Sequence, residues 1–201
     1  MALVRLLQDD QVDTEVASIF KIVDREYGFT PNILRAISHC PDLLKTFLPL
    51  WAEVYRSKGI GRRMRAILAL GTAFAQDCSY CIGPMRQSAI NAGLDAKEID
   101  CLGKGQVEGL GKKEAIVFRF AQSLTRDPSA VEVEVKKDFD DSFNEEEKVQ
   151  IVLGIGMYNL TARVLKGLEV ELDPIVKVKK DAGLKANVVL PVNNYTCEVL
   201  S

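Results

Sequence analysis

Hydrophobic residues along this chain recur at helical spacing almost from end to end, and strand-like alternation is confined to short stretches. Between residues 12 and 26, Val12, Val16, Ile19, Phe20 and Val23 fall on one side of a helix that Gly28 is placed to end. Pro31 supplies a first-turn residue for a short helix over 32–38, and Pro41 opens another carrying Leu43, Leu44, Phe47, Leu48, Trp51 and Val54. Pro49 lies inside that run and is expected to kink or divide it. Over 62–76, Ile67, Leu68, Leu70, Gly71, Ala73 and Phe74 cover most of the circumference, the pattern of a helix buried on most sides. The next helix ends near Asn91-Ala92-Gly93, where Gly93 suits the left-handed position, and Asp95 caps a short helix after it.

Residues 112–124 are amphipathic, with Ala115, Ile116, Phe118, Phe120 and Ala121 on the apolar side. The charged stretch 129–143 reads as an exposed helix, although Val131, Val133 and Val135 also alternate as in a strand. Asn144 followed by Glu145, Glu146 and Glu147 is a capped, acidic helix start, and the apolar helix it opens continues to near Lys166. Beyond Asp173-Pro174 no period persists. An all-α domain over 1–173 and a C-terminal tail over 174–201, packed on a neighbour or mobile, are therefore expected.

Composition narrows the class. With 201 residues, 47% of them hydrophobic, the chain can bury one core as a single domain or a tightly fused pair. A formal net charge of −2 gives no basic face for nucleic acid. The first ten residues turn acidic too soon for a signal peptide. The apolar run 151–160 is short and interrupted by Gly154, Gly156 and Asn159, so no membrane span is expected and a cytoplasmic location is. Helices as apolar as 62–76 and 149–165 exceed what one such chain buries, which predicts a homo-oligomer. No glycine-rich phosphate loop is present, Gly103-Lys104-Gly105 reads as a turn, and no cofactor is expected.

The chemistry concentrates in Cys78-Ser79-Tyr80-Cys81, set between two helical segments in a chain with five cysteines and one histidine. Helix-start amides favour a thiolate, and cysteines three apart there suit a reversible disulfide. Zinc and plain core packing compete with that reading. Zinc would need further ligands at matching spacing, whereas Cys40, Cys101, Cys197 and His39 stand outside any such set. Buried structural cysteine is common, but two at this spacing and position favour redox chemistry.

Four pieces in order then resemble the alkylhydroperoxidase D and carboxymuconolactone decarboxylase superfamily, in particular its peroxidase-related branch. They are Gly28-Phe29-Thr30-Pro31-Asn32, Pro41-Asp42-Leu43-Leu44, the Cys78-Ser79-Tyr80-Cys81 site, and Gly156-Met157-Tyr158-Asn159-Leu160 with the segment 165–172. The resemblance implies an AhpD-like helical bundle that assembles into oligomers. It implies Cys81 as the peroxide-attacking thiolate and Cys78 as its resolving partner, with a peroxide or disulfide substrate and a thiol protein as electron donor. Active members carry a glutamate 12 residues before the first cysteine and a histidine four after the second. Here those positions hold Ala66 and Met85, so the proton relay is degenerate.

Asp77, Arg65, Arg86 and Tyr80 are the nearby polar candidates, with a solvated helix face the simpler account of both arginines. Met85 reads as core packing, and Asn159, unusual inside an apolar helix, as a hydrogen-bonded cross-link. A lactone decarboxylase is the alternative within the superfamily, and a non-catalytic oligomeric binding or sensor protein is the alternative outside enzymes.

Overall fold

A computed structural model describes residues 2–56 and 59–173. Among them are nine helices and no strand: α1 (Thr14–Tyr27), α2 (Asn32–Ile37), α3 (Pro41–Arg56), α4 (Gly61–Ala75), α5 (Ser79–Asn91), α6 (Ala96–Gly103), α7 (Lys112–Arg126), α8 (Val133–Ser142) and α9 (Glu145–Gly167). The predicted tail and Cys197 lie outside the described residues. The all-α fold follows the hydrophobic periodicity closely, and several boundaries carry their own local signal. Asp13 caps α1 by accepting from the Val16 amide at 2.8 Å, and Gly28 ends it at φ +79°, a left-handed conformation that suits glycine. Asp95 and Glu98 close a reciprocal capping box on α6, and Asn144 and Glu147 close the same box on α9.

Two elements depart from the pattern. Helix α3 runs undivided through Pro49. A proline forfeits one backbone bond; the helix continues past it, with the Phe47 and Trp51 rings stacked at 6.3 Å between centroids and Leu44 fully buried. Helix α8 is helical as expected but starts only at Val133, because Asp127 holds the preceding turn by accepting from the Ser129 amide at 2.8 Å. Val131 is thereby buried and Val133 exposed, which accounts for the strand-like alternation.

The described residues fall into two compact units. One comprises the chain up to Ala52 and from Leu165 onward, with Val16, Phe20, Val23, Leu34 and Leu44 buried in it. In it the Leu3 amide donates to the Leu168 carbonyl, and buried Asp173 accepts from the Asn32 amide at 2.7 Å.

The other unit, Glu53–Val164, holds the C-x-x-C. Helix α4 is its centre, buried continuously from Ala66 to Ala73 and packed most closely on α7. Gly71 permits that approach: a Cβ there would stand 3.1 Å from the Phe118 carbonyl and 3.2 Å from the Ala121 Cβ. Two apolar clusters flank α4. One joins Leu68 to Phe120, Phe139, Phe143 and Ile155; the other joins Ala66, Ile67 and Leu70 to Ala89, Ile99, Leu102 and Phe118.

Candidate functional site

Between α4 and α5 the chain turns within two residues. Gln76 closes α4, Asp77 takes a left-handed φ of +47°, which aspartate tolerates, and Cys78 is extended at the cap of α5. The Cys78 amide donates to the Ala73 carbonyl at 3.2 Å, and the Cys78 carbonyl accepts from the Cys81 and Ile82 amides, both at 2.9 Å. Cys78 is thus fixed by backbone bonds to both helices, with Cys81 in the first turn of α5. Both cysteines are present as thiols. Cys81 is 9% exposed and Cys78 only 1%, so a reagent from solvent reaches Cys81 first.

The two positions where the resemblance calls for a carboxylate and an imidazole are apolar in fact as well as in name. Ala66 belongs to the cluster of Leu70, Ala89 and Leu102, and Met85 packs against the same cluster. His39 belongs to the other unit, where its Nε2 donates to the Arg5 carbonyl at 2.8 Å. Asp77 is exposed. Arg86 pairs with Asp100 on α6, an ordinary inter-helix ion pair near the surface. The side chain of Tyr80 lies outside the described residues. Among those described, no group of three or more His, Cys, Asp or Glu side chains is placed to hold a metal ion.

Arg65 departs from the expectation of a solvated face. It is half-buried and lines a narrow cavity of about 10 Å³, roughly one water's worth of space, together with Tyr55, Ile60, Leu68, Gln150 and Tyr158. Burial pulls the pKa of its guanidinium down from the usual arginine value, and Arg62 adds to that, while Tyr158 opposes it. Tyr55 and Tyr158 meet edge to face with ring centroids 4.9 Å apart, and their side chains are hydrogen-bonded. Burial pushes the Tyr158 phenol above its ordinary pKa. The Tyr55 hydrogen bond and the Arg65 charge pull the other way, and negative charge on Cys81 pushes further up. Negative charge on Cys81 is the smallest of these influences on Tyr158.

Sequence reasoning quoted Tyr158 only as part of a matching motif. The signal that could have found it is the pair Tyr158-Asn159, two polar-tipped residues side by side within the apolar face of a long helix. Asn159 itself forms the expected cross-link. Its Oδ1 accepts from Gln76 at 3.2 Å and Arg163 at 2.8 Å, while its Nδ2 donates to Thr125 Oγ1 at 3.1 Å and the Ile155 carbonyl at 2.9 Å. One amide ties the end of α4, α7 and α9 together.

The sequence profile of the carboxymuconolactone decarboxylase family matches residues 41–122, which contain α4, both cysteines and most of α7. No curated protein sequence matches the chain significantly. Among solved structures, a complex of a cysteine-to-alanine variant of the debrominase Bmp8 with 2,3,4-tribromopyrrole superposes with a TM-score of 0.76 at 17% identity, covering 90% of this chain and 99% of that one. A peroxidase-related protein from Silicibacter sp. TM1040 gives a TM-score of 0.76 at 19% identity, covering 87% and 93%. A peroxidase-related protein with an alkylhydroperoxidase AhpD core, from Ralstonia eutropha JMP134, gives 0.75 at 14% identity, covering 87% and 94%. At these identities the structural likeness establishes the AhpD-like helical fold. Residues 41–122 carry the sequence signature of the carboxymuconolactone decarboxylase family on that fold.

Proposed function

We propose that this chain is a thiol-dependent oxidoreductase of the peroxidase type, with Cys81 as the attacking sulfur and Cys78 as its resolving partner. The observation that carries this reading is the pair itself: two thiols bracketing the first turn of α5, one at the edge of solvent access and the other buried behind it. Both sit where the helix amides favour negative sulfur, so exposure is what assigns their roles.

The Cys81 thiolate attacks the hydroxyl oxygen of a peroxide ROOH. An S–O bond forms, the O–O bond breaks, and its electron pair leaves on RO⁻, which takes up a proton to become ROH. The Cys78 thiolate then attacks the Cys81 sulfenic acid, forming the S–S bond and releasing hydroxide, which is protonated to water. A dithiol protein returns two electrons and two protons to the pair. Within the superfamily the alternative is lactone decarboxylation, which has no use for the second thiol. The debrominase among the structural neighbours suggests an organohalide as a substrate to try beside peroxides.

Self-assembly belongs to the same proposal. Val149, Val152, Leu153 and Leu160 are exposed along one face of α9 in the single chain, a stripe suited to a second copy. Among the described residues no helix is long and apolar enough to cross a membrane.

Stoichiometric peroxide, followed by alkylation and peptide mass mapping, tests the thiol reading. A Cys78–Cys81 disulfide with Cys40 and Cys101 still alkylated is the expected result. Alkylation of both Cys78 and Cys81 after oxidation removes it and leaves the non-catalytic binding protein.

A further inference from the structure

We propose that the cleft between the end of α7 and the start of α8 binds a free amino acid, held by its carboxylate and its ammonium group together. The cleft has a volume of about 330 Å³, enough for a small molecule. Helix α7 lends it Arg119, Gln122 and Arg126, which recur at i, i+3 and i+7 and so share one face. The turn after α7 and the first turn of α8 add two carboxylates, Asp127 and Glu132, and two apolar residues, Ala130 and Val135. All of these residues lie outside the turn that carries Cys78 and Cys81, so the proposal stands or falls apart from the thiol reading.

Two observations set this cleft apart from an ordinary surface groove. Gln122 is only 9% exposed, yet its amide has no hydrogen-bond partner among the described residues. Buried amides are nearly always partnered, because losing water without a replacement bond is costly, and the cleft that Gln122 lines is where a partner can stand. The second observation is charge. Arg119, Arg126 and Glu132 form no ion pair among the described residues although they line one cleft, and Asp127 uses only Oδ1, to accept from the Ser129 amide at 2.8 Å. A purely anionic ligand would meet Asp127 and Glu132, and a purely cationic one would meet both arginines. A ligand with both charges on one carbon suits each sign. Its carboxylate takes an arginine fork and its ammonium goes to Glu132 or Asp127. The Gln122 amide, donor and acceptor at once, bonds to either group, and Ala130 and Val135 offer apolar contact to the side chain.

Thermal unfolding of the full chain is measured with each common amino acid in turn at millimolar concentration, since a ligand bound only by the folded chain raises Tm. The amino acid with the largest shift is then compared, by isothermal titration calorimetry, with the carboxylic acid that lacks its amino group and the amine that lacks its carboxylate. The amino acid is expected to bind at least about tenfold more tightly than either. Arg119→Gln with Arg126→Gln, two exposed substitutions, should weaken its binding by about tenfold or more. Gln122→Met keeps the volume and removes the amide. It should weaken binding by about tenfold while raising the Tm of the ligand-free chain, because an unpartnered buried amide is gone. A glutamine with a purely structural role would not couple those two effects. No shift with any amino acid overturns the proposal. So does a carboxylic acid that binds as tightly as its amino acid, which makes the cleft an anion site, and so does a double arginine variant that binds like the wild type. If Gln122→Met does not fold, the double arginine variant decides the matter.

Discussion

Helix α4 carries two adjacent residues that meet opposite surroundings. Ala66 enters the apolar cluster of Leu70, Ala89, Ile99 and Leu102, where Met85 also packs, while Arg65 faces a narrow polar cavity with Tyr55 and Tyr158. The first side is where the superfamily resemblance looks for acid and base, and it holds neither. The second holds three protic groups, Arg65, Tyr55 and Tyr158. Two neighbouring residues of one helix thus meet an apolar cluster and a cavity edged by protic groups. Position along the chain is one thing, and position around a helix another.

The comparison bears on activity only through Cys81, and the strongest test removes it. Cys81→Ser should abolish peroxide-driven oxidation of the pair, read as loss of the Cys78–Cys81 disulfide by mass mapping. Cys78→Ser should instead leave Cys81 reactive but drive it past the sulfenic state to sulfinic acid, because the resolving thiol is gone. If Cys81→Ser leaves peroxide consumption unchanged, neither side of α4 matters to the activity.

Next in size is an attempt to give the apolar side the groups it lacks. Ala66→Glu with Met85→His installs a carboxylate and an imidazole against the apolar cluster. The double variant should raise the hydrogen peroxide rate by at least about tenfold, below the usual range for general acids because nothing around the new groups holds them in place. A cost in stability accompanies the gain. Burying polar groups in an overpacked apolar site costs about 2 kcal/mol, and so lowers Tm by roughly 4–8 °C in a chain of this size. A double variant that folds yet gains nothing means that the first side does not address Cys81.

Much of this arrangement was legible in the sequence, and the part that was not has a common cause. Local signals marked α1 by Asp13 and Gly28, α6 by Asp95 and α9 by Asn144, and the cysteine spacing marked the candidate pair Cys78 and Cys81. Each of those signals acts within four residues of itself. Arg65 read as a solvated face and Tyr158 only as part of a motif, because their surroundings depend on α3, α4 and α9 being brought to one cavity, which no local period encodes. Arg65 resembled its neighbours Arg62 and Arg63, of which Arg63 ties Glu98 and Glu114 into a partly buried ion network while Arg62 reaches the Asn91 carbonyl. Three arginines in four positions of one helix turn have three different roles. Pro49 is the opposite case: a strong local signal for dividing the helix, through which α3 nonetheless runs.

Helix α9 invites its own division between inner and outer faces. Its inner face bears Tyr158 and Asn159, and its outer stripe bears Val149, Val152, Leu153 and Leu160. Val152→Lys with Leu153→Lys should convert an oligomer into a monomer in light scattering at micromolar concentration. Single-turnover oxidation of Cys81 should change little, because the backbone bonds that fix the cysteine pair involve neither residue. A wild-type chain already monomeric under those conditions would contradict the assembly proposal.

The smallest effect should come from the residue that holds the polar side in place. Asn159 follows Tyr158 directly and fixes this part of α9 to Gln76 at the end of α4 and to Thr125 on α7. Asn159→Ala leaves Thr125, itself buried, short of a partner, and a buried polar group so deprived costs about 1–3 kcal/mol. Tm should fall by roughly 2–12 °C. The hydrogen peroxide rate should fall only a few-fold, since the Cys78 amide and carbonyl keep their bonds to Ala73, Cys81 and Ile82. An Asn159→Ala variant that keeps its Tm yet loses most of that rate would mean that the amide acts on the thiols rather than on packing, and the polar side of α4 would then bear on the chemistry of Cys81.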